Sequence, residues 1–455
     1  MNNKITRLFI IITLMMVFPI SVFAANHYIL QGGTGNGTTW SNALNDLPDT
    51  LVRGDTYYIA DGTYSKHIFN DAESGTTYIT IKKATASDHG TGTGWQSSYG
   101  DGQAVFMGLM NFTKGYYIWD GMTGSGSNYS SYGFKIIPSS CSAEQYLMGI
   151  PAMGYSTSQV DHINVSHTAM ITCGKGDGTY TQVCIYSLAR DGYASSDITI
   201  SNNYLSNGSS NIIVRQARNW TIRDNYFNGN WSSSVNHGQQ ISPGNTSNFF
   251  IYNNIFKDST IFVIGAHNEG GGNSNWYVYN NISIGGKLTA GFAMAESAES
   301  DGLVSSQFHN NTFVGVDFGG RGAVFVGTLT NVATQKSYAY NNLFYNCINP
   351  RLDNADGTAG TIIHNNNAYL ACTGIFNSSD ESAPLIDNIN PFIDAASENF
   401  RLAASVSPNY KGINLSQYFT TDKDGKPRGS SLWSIGAYRA GGPAPPENST
   451  ITINQ

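Results

Sequence analysis

The sequence predicts an all-β chain wound as a right-handed, single-stranded parallel β-helix, a solenoid, and three observations predict it. One short phrase recurs seven times between Ile200 and Tyr369: ISNNYL, IRDNYF, IYNNIF, VYNNIS, FHNNTF, AYNNLF and IHNNNA. Its anchoring residue is Asn203, Asn225, Asn254, Asn281, Asn311, Asn342 and Asn366, at separations of 22, 29, 27, 30, 31 and 24, a period that marks stacked repeats. Only 12% of the residues are charged and 50 are glycine, a balance of turn-rich β proteins rather than helical ones.

The phrase has a physical logic. Three residues before each anchor the side chain is apolar: Ile200, Ile222, Ile251, Val278, Phe308, Ala339 and Ile363. Two residues after it, Leu205, Phe227, Phe256, Phe313 and Phe344 are apolar, so two short strands with inward side chains flank a polar corner. At that corner an Asn adopts the left-handed conformation and bonds its own backbone, and stacked coils line the amides into a ladder. Ser283 and Ala368 interrupt the apolar position and mark weaker rungs. A β-propeller needs about 40 residues per repeat and a β-sandwich shows no fixed phrase.

In chain order, residues 1–24 read as a secretory signal peptide: Lys4 and Arg7 precede an apolar run from Leu8 to Ile20, and Val22, Phe23 and Ala24 offer a small-residue cleavage site. The run is short for a bilayer span and nothing later approaches membrane length, so the expectation is a secreted or periplasmic protein. Without the signal the chain carries 22 basic and 31 acidic side chains, a formal charge of −9, which makes nucleic acid an unsuitable partner.

Residues 25–440 form the expected solenoid, with loop insertions near 85–195 and a flexible tail over 441–455. The entry contains GDTYYIADGTY, a Gly-Asp turn, an alternating strand and an Asp-Gly turn. This stretch resembles the opening coil of secreted carbohydrate-active β-helix proteins of the pectate-lyase-like superfamily. The endings ENFRLAASVSPNYKGINL and DKDGKPRGSSLWSIGAYRA resemble the closing segment of that superfamily, where an extended strand docks on the last coil. In HINVSHT, Ser166 stands near the anchor place. In the insertion region Tyr129, Tyr132, Tyr155, Tyr180, Tyr186 and Tyr193 are of a type that stacks on sugars. Asp422, Asp424 and Gly425 lack the distal Glu of a calcium loop and read as a turn.

Five cysteines follow the signal, in what would be an oxidising compartment. Cys347 and Cys372, five and six residues past their anchors, are expected nearly above one another and able to bond. Cys173 and Cys184 are expected to close a small loop, leaving Cys141 unpaired.

Upstream of each Asn corner lies a strand rich in polar groups: NIIVRQAR, HGQQISPG, TIFVIGAHNE, GFAMAESAES and GAVFVGTL. Side chains of consecutive coils converge on one face of such a fold, and two chemistries suit them. Elimination across a uronate needs a cation on the carboxylate, a base for the adjacent C–H and a donor for the leaving oxygen. The expected catalytic residues are His237, His267 and Arg215, with Arg218, Arg190, Gln239, Gln240, Glu269, Glu296 and Arg321 binding substrate. Hydrolysis of a neutral glycan would instead draw paired carboxylates from Glu269, Glu296, Glu299 and Asp301.

The stretch HGQQISPGNTSNFFIYNNIFKDSTIFVIGAHN is similar in layout to the central coils of polysaccharide lyase family six, whose members use a Glu-rich calcium site with a Lys and an Arg. Here Gln239 and Gln240 hold the acids' places, Gly244 and Asn245 stand near the Lys place, and Ala266 and His267 near the Arg place. The similarity covers scaffold and not site. No phosphate-binding loop, Cys/His metal spacing or Ser nucleophile elbow occurs; no cofactor is required, and carboxylate-bound calcium is left open. The expectation is a monomeric polysaccharide lyase, a carbon–oxygen lyase, acting on a uronic-acid polymer. A glycoside hydrolase and a non-catalytic glycan-binding β-helix are the other readings the fold class allows.

Overall fold

The computed structural model describes residues 24–141, 145–152, 159–175, 180–188, 195–232, 238–266, 273–288, 290–293, 305–319, 322–325, 336–352, 361–374, 381–409 and 411–441. Among the described residues thirty strands join into one network in which every named pairing is parallel, and no helix is long and apolar enough to cross a membrane. The chain is a right-handed parallel β-helix, each coil contributing to three stacks. One coil shows the plan: Thr221–Arg223 lies in the first stack, Tyr226–Asn230 in the second, and Gln239–Tyr252 begins in the third and bends into the first.

Inward side chains from successive coils make the core columns. Val165, Ile200, Ile222, Ile251, Val278, Phe308 and Ala339 stack in the first. Met170, Leu205, Phe227, Phe256, Ser283, Phe313, Phe344 and Tyr369 form the second, and Ile185, Ile212, Ile241, Ile264, Phe292 and Val324 the third. All but Ser283 are buried hydrophobics, so removing their area from water drives the winding. Ser283 is buried as well, and its hydroxyl finds no partner among the described residues.

The corner between first and second stacks divides its work between two residues. The left-handed conformation belongs to the residue before the expected anchor: Asn202, Asp224, Asn253, Asn280, Asn310, Asn341 and Asn366 have φ between 51° and 58°. The next residue turns inward and builds the ladder. Asn225 is typical: its backbone N–H and Nδ2 both donate to Asn254 Oδ1 at 3.0 Å, and Nδ2 also donates to the Ile200 carbonyl at 2.9 Å. The ladder runs through Asn203, Asn225, Asn254, Asn281, Asn311 and Asn342.

Its last rung is Asn367 and not Asn366, because Ala339 pairs with His364 and Phe344 with Tyr369. The rung expected to be weakened by Ala368 therefore carries an inward aromatic. Glu381 ends the ladder, accepting from Asn367 Nδ2 at 2.9 Å and Tyr369 Oη at 2.7 Å, with His364 Nδ1 at 3.1 Å. At the other end Thr168 takes the anchor place, two residues beyond Ser166; its N–H donates to Asn203 Oδ1 at 3.0 Å.

The region expected to hold loop insertions carries full coils, among them Ala104–Phe112, Tyr117–Asp120, Phe134–Ile137, Gln145–Gly149, Val160–Ser166, Thr168–Ile171 and Gln182–Leu188. The loop between Gly121 and Gly133 folds over the second stack, burying Tyr132 against Ala169 and Tyr204. The disulfide joins Cys141 to Cys173, while Cys184 points into the core as a thiol. The expected Cys173–Cys184 pair is thereby corrected, since Cys184 is held inside by the strand Gln182–Leu188. Cys347 and Cys372 do stack on adjacent coils, next to the Ile348–Thr373 bridge, and stand as thiols.

The closing segment reaches further than the last coil. Residues 411–441 run back over five corners, whose left-handed asparagines hold them: Asn366 donates to the Lys411 carbonyl, Asn341 to Ile413, Asn310 to Ser434 and Gly436, and Asn280 to Thr421, at 2.9 to 3.1 Å. Lys423 donates to the Asn253 carbonyl. This strap also covers outward apolar residues of the second stack, with Ile282, Leu343 and Ala368 packing against Ile435, Ala437 and Tyr438. Asp422 shapes the expected turn, its Oδ1 accepting from the N–H groups of Asp424 and Lys426 at 3.0 and 2.9 Å.

Candidate functional site

The third stack presents the face on which the polar strands were expected to converge. Its alternation places Ile212 and Val214 inward, hence Ile213 and Arg215 outward. Along the coils Tyr186, Ile213 and Ser242 align in one outward column, and Leu188, Arg215 and Gly244 in the next. Tyr146 pairs with Val183 in register, and its ring meets that of Tyr186 at 4.4 Å between centroids.

Arg215 is outward yet only 7% exposed. Its guanidinium lies along the neighbouring coil, donating to the Ser242 carbonyl, to Ser242 Oγ at 3.3 Å and to the Val214 carbonyl at 3.2 Å. These bonds keep the fork of the guanidinium in a defined plane, and a planar fork is the geometry that matches a carboxylate.

Other expected site residues fall elsewhere. Arg218 is exposed and lies past a bend at Gln216, whose φ is 53°, in register with Ser196 and Ser247 at the leading edge of the first stack. It does not share the face of Arg215. Gln239 and Gln240 are buried at the start of their strand. Gln239 accepts from Ser210 Oγ at 3.1 Å, while Gln240 accepts from Asn211 Nδ2 at 2.5 Å and donates to Ser259 Oγ at 3.1 Å. These amides tie one coil to the next, which corrects the expectation that they face a ligand.

Arg190, His237, His267, Glu269, Glu296 and Arg321 lie outside the described residues, as do Glu299, Asp301, Tyr155 and Tyr193. The described strands that precede three of these positions, ending at Leu188, Gly265 and Ala293, finish within a few residues of one another at the same edge of the third stack. Among the other tyrosines Tyr132 is buried, whereas Tyr129 and Tyr180 are exposed. Ser242 and Tyr146 escaped notice in the sequence; only the register with Arg215 and Tyr186 shows that they belong to this face.

No sequence-family profile and no curated protein matches the chain. Solved structures do. Pectate lyase Pel9A superposes with a TM-score of 0.51 at 14% identity, over 92% of this chain and 97% of that one. The PL6 family alginate lyase AlyGC (TM-score 0.34, 14% identity, 85% and 55% of the two chains) and the Yersinia enterocolitica family 28 exopolygalacturonase (0.36, 9%, 81% and 78%) are more distant. At such identities the likeness concerns architecture, and the chain has the right-handed parallel β-helix fold seen in pectate lyase Pel9A.

Proposed function

We propose that the protein is a secreted polysaccharide lyase that cleaves a uronic-acid polymer by β-elimination on the outer face of the third stack. The observation that carries this reading is Arg215, an outward residue of that stack whose guanidinium is held along the next coil by Ser242. Pectate lyase Pel9A, which shares the architecture, adds support of a general kind. Arg215 would neutralise the uronate carboxylate and so acidify the C5–H bond. A base takes that proton, the C4–C5 double bond forms as the C4–O bond breaks, and the departing oxygen receives a proton. His237 and His267, the histidines of the neighbouring sequence, are proposed to share the roles of base and acid, for which imidazole is the side chain best suited near neutral pH.

The test is incubation of residues 25–455 with pectate, alginate, glycosaminoglycans, ulvan and neutral glycans, with calcium or a chelator, following ultraviolet absorbance of unsaturated ends together with reducing ends. Absorbance with one polymer is expected, reduced about 100-fold or more in kcat/KM by Arg215→Ala, the scale of losing one electrostatic contact to developing charge. Reducing ends without absorbance would replace elimination by hydrolysis, with Glu269 and Glu296 as its acids. Retention on a glycan without either signal would make the protein a binder.

A further inference from the structure

A cavity of about 330 Å³ lies away from the third stack, where two covering segments fail to meet over the second. The strap stops at the corner of Asn253, and the loop Gly121–Gly133 covers Ala169 and Tyr204. Between them the corners of Asn202 and Asp224 open into the cavity, with Ser125 on the loop side and Lys423, Asp424 and Tyr438 on the strap side.

Asn202 holds the same place in its coil as the asparagines that bind strap carbonyls, with φ of 54°, and lies on the cavity wall beyond the strap. Tyr226 lies on the cavity floor and is 4% exposed. Lys423 gives one hydrogen to the Asn253 carbonyl and keeps others for the cavity. Each flanking carboxylate is matched by an arginine, Asp224 by Arg223 at 2.7 Å and Asp424 by Arg401 at 2.7 and 2.8 Å. Asp424 also meets Lys426 Nζ at 3.7 Å, and Lys423, which makes no ion pair among the described residues, is the one cation of the cavity's lining.

We propose that this cavity is a second saccharide site, taking one acidic sugar residue whose carboxylate meets Lys423 and Asn202 and whose hydroxyls meet Tyr226, Asp224 and Asp424. The volume suits a ligand of about one sugar ring. The choice of a uronate follows from the cavity's own charges and stands apart from the cleavage face, which lies on another stack. Burial holds the Lys423 ammonium down to about 8, with Asp224 and Asp424 opposing the shift and Arg401 adding to it, so binding should weaken as pH rises through that value.

The experiment is calorimetric titration of the full chain with tri-galacturonate and tri-mannuronate, and with cellotriose as the neutral arm, in wild type and in Ser125→Trp, Lys423→Met, Lys423→Arg and Arg215→Ala. Ser125 is an exposed loop residue, so Ser125→Trp closes the mouth without touching the core, and an unchanged melting curve verifies it. Uronate affinity at this site should fall at least tenfold in Ser125→Trp and Lys423→Met, and stay in Arg215→Ala. Lys423→Arg should remove the weakening near pH 8. Cellotriose should bind at least tenfold more weakly. Uronate affinity unaffected by Ser125→Trp, or no uronate binding, overturns the site; equal binding of cellotriose overturns its selectivity for acids. Loss of cleavage in Arg215→Ala with cavity-dependent binding intact separates the fate of this site from that of the lyase reading.

Discussion

Removing one rung of the ladder should cost far more than altering the corner beside it. In Asn254→Ala the Asn225 N–H and Nδ2 lose the oxygen they share at 3.0 Å, and the Ile222 carbonyl and Asn281 Oδ1 lose a donor at 2.8 and 3.0 Å. Asn225 Nδ2 retains Ile200 and Asn281 Oδ1 retains the Asn254 N–H, so the uncompensated groups are mainly the Asn225 N–H and the Ile222 carbonyl. At about 1 to 3 kcal/mol for each buried group left unpaired, the loss is roughly 4 kcal/mol. That is a large part of the 5 to 15 kcal/mol typical of a whole domain, roughly speaking. The matched control is Asn253→Gly. Asn253 has φ of 58°, which glycine adopts freely, and its buried Oδ1 has no partner, so the change should cost less than about 1 kcal/mol. Urea unfolding followed by the fluorescence of the seven tryptophans measures both. Equal losses, or a loss below about 1 kcal/mol in Asn254→Ala, would refute the division of labour between the two asparagines.

Further outcomes can be checked in the same way. His309 is fixed as a neutral imidazole, Nε2 donating to Gln307 Oε1 at 2.9 Å and Nδ1 accepting from the Tyr340 N–H at 3.2 Å, and burial lowers it to about 3. The unfolded chain takes up a proton below about 6.5 that the folded chain refuses, so this stabilisation is lost as pH falls; between pH 6 and 4 wild type should lose roughly 2.5 kcal/mol more than His309→Gln. Ser283→Ala, which deletes an unpartnered hydroxyl between Phe256 and Phe313, should stabilise the fold by about 1 kcal/mol in thermal unfolding. A non-reduced digest analysed by mass spectrometry should recover Cys141 linked to Cys173 and Cys184 as a thiol; a Cys173–Cys184 peptide would contradict the coil register near Thr168–Ile171.

The solenoid is legible in the sequence because its strongest constraint is local and repeated: an inward apolar residue, two corner residues and a second inward residue on coil after coil. What failed at the last repeat was register. IHNNNA offers three adjacent asparagines, and only the pairing of Ala339 with His364 selects Asn367. The phrase likewise could not say which Asn of a doublet bends and which bonds, since both tasks favour the same side chain. Cysteine pairing failed because distance along the chain says little about distance around a coil; Cys141 and Cys173 lie 32 residues apart and nearly one turn round. The face carrying Arg215 was legible as a row of polar strands. The cavity was not, because it joins Ser125 to Lys423, residues that only the returning strap brings together.

That strap gives the molecule a direction in time. Coils can stack as they emerge from the ribosome, but Ile282, Leu343 and Ala368 stay bare until residues 411–441, made after the coils, fold back over them. A chain stopped before Lys411 would keep its ladder and still display an apolar strip to its neighbours, so premature termination should yield sticky solenoids rather than unfolded chains. The asparagine side chains at four successive corners, with the Asn253 carbonyl at a fifth, act in this sense as a completion check, satisfied only once residues 411–441 have been made.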